Sequence, residues 1–438
     1  MKKGIVALLV VLAIVVLISP GIVGRLAEKT LDENLDWAAT ESEEVVVTSQ
    51  GFDRGWFSSE GRHRVEIREG ELQNVLLALA NSEDASSLPA LIIDTRLDHG
   101  LIPLTSMSRD KGTLMPGLGS AVSTVSVEFA DGESMALPGK IYSNVGLAGA
   151  LRFRLELGSG SHNFAGADAL WGDTNIEVTT DPASGEVWFE GAVASLALTA
   201  EGDHFDVGHL EFSGKQHKTP FGFSVGDIEA TMRSVTLKNP SESTTFGPLS
   251  FTTTSDVDGD RASGRTTVSL DNTPFAELGT AAVTVDVSLV DVDAASLGNI
   301  TVALDDLQDG GSPDDFMFVV EDDLRRLLAS GFELRLDRLD VSLPQGLFTS
   351  KFHFVVDKSA IDSFNWTSIL LALDATAEIS LPAALVEHMT TIDPQVNAAI
   401  GLGFLRKNGD LYELEASFQK GVLTVNGAPM PLPILGLQ

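Results

Sequence analysis

Asp206-Val-Gly-His-Leu-Glu-Phe212 is the stretch on which the fold class turns. On an extended chain successive side chains point to opposite faces, so Val207, His209 and Glu211 share one side while Gly208, Leu210 and Phe212 share the other. This is the one-sided strand of an antiparallel sheet with one face wetted. The same alternation recurs on either side of it, over residues 122–129, 140–157, 175–179, 187–198, 221–237, 249–255, 265–270 and 281–292, punctuated by Gly, Asp, Asn and Ser. Several of these segments exceed a dozen residues, which predicts long, strongly twisted strands or strands interrupted by bulges.

Towards the N-terminus, residues 44–49 and 56–68 read as the two arms of a hairpin about Phe52-Asp-Arg-Gly55, followed by a short helix over 71–80 and a strand over 91–97. A loop marked by Pro and Gly occupies 99–119. Beyond Asp293 the period changes from two to three-four: residues 294–307 and 314–330 read as helices, the second with its acids leading and Arg325-Arg326 near its end, as the helix dipole favours. Strands return over 333–343, 348–356 and 370–379. A helix over 381–400 with Pro382 in its first turn follows, then a closing hairpin of 411–418 and 422–425 around Gln419-Lys-Gly421, and a proline-rich tail. Asp305 to Asp315 is the best linker candidate.

Residues 4–24 carry no charge, and Lys2 and Lys3 precede them. About 20 apolar residues suffice to cross a bilayer core as a helix, and the flanking lysines place that end in the cytoplasm. The run exceeds the usual length of a cleaved signal and lacks a good small-residue cleavage site, so an uncleaved signal anchor is expected over a cleaved signal; a helix over 25–39 continues from it. The sequence-based expectation is therefore an α+β, β-rich chain: residues 1–24 a cytoplasmic stub and transmembrane signal anchor, 25–295 a β-rich periplasmic domain, and 296–438 a mixed α/β C-terminal part of the same ectodomain. The body would lie in the periplasm, tethered to the inner membrane by a single pass.

Of the 438 residues, 29 are Lys or Arg and 62 Asp or Glu, a formal net charge of −33. Such a surface repels nucleic acid and anionic head groups. The acids are spread along the chain, as in a solvated surface bias, and do not form a tail. There is no Cys, which excludes disulfides, thiolate metal sites and cysteine nucleophiles. The histidines are scattered. In the one cluster, Asp203, His204, Asp206, His209 and His217, an extended chain puts His204 and Asp206 on one face and His209 on the other, so ligand geometry would need a bend. Asp256-Val-Asp-Gly-Asp260 resembles the start of a calcium loop, but Arg261 and Thr267 stand where Gly and Glu are required, which leaves a hairpin turn. No phosphate loop, dinucleotide fingerprint, nucleophile elbow or zinc helix is present. No catalytic residue, cofactor site or metal site is assigned.

Several stretches together resemble the YdgA family of bacterial envelope proteins, which includes YihF. They are the N-terminal apolar run, Gly51-Phe-Asp-Arg-Gly-Trp-Phe-Ser-Ser59, His99-Gly100 (here followed by Leu101-Ile102 before Pro103), Phe223-Ser-Val-Gly226 and Val425-Asn-Gly427. The resemblance spans nearly the whole chain. It implies an inner-membrane anchor with a periplasmic body, and supplies no enzymatic activity to carry over. The motif residues are Arg54, Gly55, Trp56, Phe57, Ser58, Ser59, His99, Gly100, Asn426 and Gly427, and each has a structural reading: Gly55 and Asn426-Gly427 as turn formers, Trp56 and Phe57 as core anchors, Arg54 as a donor to carbonyls. Three functional readings follow. The first is a non-enzymatic interaction or structural module, self-associating or bound to an envelope partner. The second is a groove for lipid or another apolar ligand, similar in plan to AsmA-like lipid-handling proteins. The third is a periplasmic hydrolase. A groove predicts a contiguous apolar surface with no polar cluster at its base, and an enzyme predicts convergent His, Asp or Ser in a pocket.

Overall fold

A computed structural model describes residues 45–54, 58–67, 73, 88–99, 117–129, 132–146, 148–164, 167–200, 203–239, 241, 243–275, 278–308, 312–357 and 371–430. They form a β-rich, mostly antiparallel structure with helices in its C-terminal part, in two compact units: residues 1–217 with 232–244, and residues 218–231 with 245–438. The transmembrane helix expected over residues 4–24 is not supported. No helix among the described residues is long and apolar enough to cross a membrane, and residues 4–24 themselves lie outside them, as do the helices expected over 25–39 and, apart from Gln73, over 71–80.

The first unit begins with a meander. Strands β1 (Val45–Arg54), β2 (Ser58–Ile67), β3 (Ala90–His99) and β4 (Gly117–Glu128) pair in order, β4 pairs with β5 (Ser134–Ala136) and β6 (Gly139–Gly146), and β6 pairs with β7 (Leu151–Leu157). Residues 140–157, expected as one strand, are thus the β6–β7 hairpin, turned at Gly149 with φ 84°. Val65, Leu91, Val125, Val127 and Leu137 close into a core beneath this sheet.

From β7 onward the chain folds back and forth between two sheets. The main sheet continues through β10 (Thr174–Asp181), β11 (Glu186–Val193) and β14 (Leu210–Lys218), paired in the order β7–β10–β11–β14. The second sheet takes β8 (Gly160–Phe164), β9 (Ala167–Trp171), β12 (Leu196–Ala200), β13 (Asp203–Val207) and β16 (Val235–Lys238), paired β8–β9–β12–β13–β16. The opening stretch, expected as one strand, is therefore two: Asp206 and Val207 end β13 in one sheet, Leu210 to Phe212 open β14 in the other. Residues 187–198 divide likewise into β11 and β12, and 221–237 into β15 (Ser224–Met232) and β16. The alternation runs through each crossing because both sheets keep an apolar inner side.

The crossings line up. Gly172 N donates to Ser195 O and Ala194 N to Asp173 O, each at 2.9 Å; Gly208 N donates to Ser234 O and Arg233 N to His209 O, each at 2.8 Å. A Cβ on Gly172 would come within 2.7 Å of Ala194 Cβ, and one on Gly208 within 2.8 Å of Ser234 Oγ. The two glycines allow the close approach that the crease requires. Trp171, Leu196 and Leu198 of the second sheet, with Phe205 and Val207, pack on Phe129 and Met135, and Trp171 Nε1 donates to Gly158 O at 3.0 Å.

After β17 (Ser243–Phe246), the second unit is another antiparallel run: β18 (Leu249–Asp258), β19 (Arg261–Phe275), β20 (Gly279–Asp293), β21 (Phe332–Leu343), β22 (Gly346–Val356), β23 (Leu373–Pro382), β25 (Leu411–Gln419), β26 (Val422–Val425) and β27 (Ala428–Met430), with β24 (Arg406–Asn408) beside β25. The Asp256 to Asp260 stretch is the β18–β19 hairpin, Asp258 facing Arg261 across Gly259 (φ 63°). Two helices, α1 (Ala294–Gln308) and α2 (Pro313–Ser330), connect β20 to β21; Asp305 and Asp306 continue α1. Asp293 caps α1 by accepting from Ser296 N at 2.8 Å. The helix expected over 381–400 is two, α3 (Ala383–Ile392) and α4 (Pro394–Gly401). Pro394 has no N–H to continue α3, and Asp393 starts α4 afresh by accepting from Gln395 N at 2.8 Å.

Candidate functional site

The pairing registers of the second unit sort its side chains by chemistry. One face reads Thr252 and Thr254 on β18, Arg265 and Thr267 on β19, Thr284, Asp286 and Ser288 on β20, Glu333, Arg335, Arg338 and Asp340 on β21, Lys351 and His353 on β22, Thr376 and Glu378 on β23, and Glu413, Glu415 and Ser417 on β25. The opposite face holds rows of apolar side chains that cross the sheet from strand to strand. One row is Phe251, Val268, Val285, Leu339, Ser350, Ile379 and Leu414. The next is Thr266, Val287, Leu336, Phe352, Ala377, Ala416 and Val425, and the third Gly264, Leu289, Leu334, Phe354, Ala375, Phe418 and Leu423. At a strand spacing of about 4.8 Å, seven strands make each row about 30 Å long.

The apolar face is not sealed. The Val, Leu, Ile and Phe side chains of these rows are all only half-buried. Fully buried apolar side chains of this unit are found at the two ends of the strands, while Asp286 and Ser288 are buried in the middle of β20 on the polar face. At one end Ala262, Val292 and Val356, with Ala294 and Ala303 of α1 and Val320 of α2, are buried; at the other, Tyr412 of β25 and Leu385 and Val386 of α3 are. The corresponding face of the first unit is a contrast, with Val65, Leu91, Val127, Leu155 and Ile176 at 1–3% exposure. Apolar patches above about 300–600 Å² are unusual on a soluble surface and mark interaction sites. Here about a dozen Leu, Val and Phe side chains, each mostly but not fully buried, adjoin one another in rows.

Bulges shape this sheet without breaking the segregation. Asp337 is the extra residue between Leu336 and Arg338 opposite β20, and Asp291 (φ 58°) bulges opposite Ser263. Arg261 ties the second bulge to the end of α2: its Nε donates to Asp291 Oδ1 at 2.8 Å and a terminal nitrogen to Gly331 O at 2.6 Å. Such bulges add twist and bend to a strand.

On the polar face the ionisable groups pair with one another. Arg265 forks onto Asp286, Nε to Oδ1 at 2.8 Å, and Ser288 Oγ donates to Asp337 Oδ2 at 2.7 Å. The hydrogen bonds from Arg265 hold the Asp286 carboxyl below the usual carboxylate range although burial works against them. Burial likewise opposes, without overcoming, the hydrogen bonds from Arg335 and His353 that lower Glu333. These are satisfied ion pairs, and no nucleophile with a base beside it is found among them. His204 Nδ1 lies 2.9 Å from Thr199 Oγ1, His209 Nε2 2.7 Å from Glu211 Oε1, and His217 pairs in register with Glu186. Among the described residues no group of three His, Asp or Glu could hold a metal ion.

The motif residues fall into two places. Arg54 faces Ser59 across the β1–β2 hairpin, Ser58 faces Asp98 on β3, and His99 faces Gly119 on β4, so the topology gathers Arg54, Ser58, Ser59 and His99 at one end of the first sheet. Gly55, Trp56, Phe57 and Gly100 lie outside the described residues. Asn426 and Gly427, both at positive φ (49° and 77°), form the two-residue turn between β26 and β27. Asn426 also donates to the carbonyls of Gly403 and Phe404 at 2.9 and 3.0 Å and accepts from Glu415 N at 2.8 Å. Its role is to hold the chain after α4 against the sheet.

Residues 1–433 match a family described as a bacterial protein of unknown function, DUF945. The chain belongs to the DUF945 family. No curated protein and no solved structure matches this DUF945 chain. The open apolar face was not singled out by motif reading, because it has no motif. The signal was the parity of eight strands, each legible alone.

Proposed function

We propose that this DUF945 protein is a non-enzymatic apolar-ligand carrier of the bacterial cell envelope, and that the open face of its second unit shelters hydrocarbon chains such as lipid tails. One observation carries the reading: three adjoining rows of incompletely buried Val, Leu, Ile and Phe, with the described helices at the strand ends. The occupant is argued from what the face lacks. Protein interfaces carry about one hydrogen bond per 100–200 Å², whereas the polar side chains of this face are few, chiefly Thr253, Ser255, Thr266 and Ser350, with Thr253 and Thr266 already bonded to each other, and the backbone groups of a sheet are already paired. A hydrocarbon chain needs no hydrogen bonds and gains roughly 25 cal/mol per Å² of apolar surface withdrawn from water. The resemblance to the YdgA family and the apolar run at residues 4–24 as an export element support a location in the envelope, with the body in the periplasm.

The test is native mass spectrometry with organic extraction on the full chain purified from cells. Stoichiometric hydrocarbon is expected, and it is lost in Leu339→Lys and Phe352→Lys but kept in Thr252→Lys on the polar face, with all three folded by circular dichroism. A ligand-free wild-type protein of defined oligomeric mass would overturn the carrier reading and put self-association or partner capture in its place.

A further inference from the structure

The apolar face of the second unit is wider than one hydrocarbon chain. A fourth row, Leu270, Val283, Val341 and Phe348, adjoins the row of Val268, Val285 and Leu339 on the side of the β19–β20 turn. These four side chains are again buried only in part. Successive rows are two residues apart along each strand, about 6.7 Å, so four rows span about 20 Å, against about 30 Å along each row. At β21 the Asp337 bulge sets Leu336 and Leu339 three residues apart, which widens the interval between their rows. Side chains standing in parallel rows leave furrows between them, and four rows bound three. A lipid tail in a bilayer reaches about 15 Å, half of a hydrocarbon core of ~30 Å. Each furrow is therefore longer than one tail, and the face has room for tails side by side.

The hydroxyls at the β18–β19 end of the face are engaged within the protein. Thr253 Oγ1 and Thr266 Oγ1 are 3.2 Å apart, and Ser255 Oγ accepts from Gly226 N at 3.0 Å and donates to Gly226 O at 3.2 Å. They offer little to a polar head group, so the face recognises hydrocarbon. We infer that the ligand of this face is a lipid of two or more tails, held with its tails side by side across the strands, and not a single-chain fatty acid. The inference rests on the carrier reading above and narrows it. Joined tails favour such a lipid over separate chains. Translational freedom is lost once for all of them, and the second tail enters at the effective concentration of a linked group.

The full chain is purified from cells without detergent and weighed by native mass spectrometry. The bound molecule is then extracted, and its tails are counted from intact and fragment masses. One molecule with two or more tails per protein is expected. Ala377→Trp fills one row at mid-length, beside Phe352 and Ala416, and is expected to at least halve the bound lipid. Thr376→Trp, its neighbour on the polar face, is expected to leave the lipid at the wild-type level. Both variants are checked for folding by circular dichroism, and the tail count of the wild-type ligand decides alone where Ala377→Trp does not fold. A fatty acid as the bound molecule, one or several per protein, overturns the two-tail ligand and leaves the carrier standing. Protein free of hydrocarbon overturns the carrier, and the ligand class with it.

Discussion

Phe212 on β14 stands in the place of a side chain for Gly191, its register partner on β11: a Cβ at position 191 would fall inside the van der Waals envelope of the ring. The ring belongs to the cluster around Leu155, Ile176 and Val178, so the glycine is a slot in the core of the first unit. Gly191→Ala is expected to destabilise by about 1–3 kcal/mol through overpacking. Combining it with Phe212→Ala should cost less than the sum of the two single changes, and urea titrations of the four proteins measure that coupling.

Asn426 works in two ways that substitution can separate. Gly at this position keeps the positive φ and loses the side-chain hydrogen bonds to Gly403, Phe404 and Glu415; Ala loses both. Each hydrogen bond is worth about 1 kcal/mol net and a strained left-handed residue costs about 1 kcal/mol more. Stability is therefore expected in the order wild type, Asn426→Gly, Asn426→Ala, read from denaturant midpoints.

Asp286 sets part of the acid limit of the second unit. Its carboxyl is held below the value of the unfolded chain, about 3.9, by Arg265. A depressed folded pKa contributes stability that is complete above the unfolded value and disappears as pH falls through the folded one. Asp286→Asn removes this contribution at every pH. The variant should be less stable than wild type near neutrality, and the two should converge as pH falls below the unfolded value and through the lower folded one. Urea midpoints across that range decide it; parallel curves would remove Asp286 from the acid transition.

The crease between the two sheets of the first unit depends on backbone proximity. A side chain at Gly172 must displace Ala194 and the Ser195 amide. Gly172→Val is expected to lower the melting temperature by several degrees, on the order of 1–3 kcal/mol. Ala194→Gly in the same chain should restore part of the loss, since it removes the nearest obstructing carbon.

Strand identity and parity were legible wherever one face is wet. The strands expected over 249–255, 281–292 and 333–343 return as β18, β20 and β21, with the alternation reset at the Asp291 and Asp337 bulges. Crossings between sheets were not. At Ala194-Ser195, Gly208-His209 and Arg233-Ser234 a continuous alternation spans two sheets, and small residues there read equally as bulges or turns. The break of the helix at Asp393-Pro394 was available in the proline, which removes a donor from the helix. Hydropathy over residues 4–24 suggested a membrane span that the described structure does not support. The candidate site was half visible: sequence gives which residues share a face, but whether Val285 or Phe352 is covered depends on what the rest of the chain lays over it, and periodicity carries no information on that.

The crease also bears on how such a chain can change length. Each folded-over hairpin, β7 to β10 and then β11 to β14, enters and leaves the main sheet as one antiparallel pair and contributes one hairpin to the second sheet. Adding or deleting one whole unit preserves the strand direction and the inside–outside parity of everything that follows, whereas deletion of a single residue reverses it. Related chains are therefore expected to differ in size by whole hairpin pairs, a modular growth rule that comparison of family lengths can read directly.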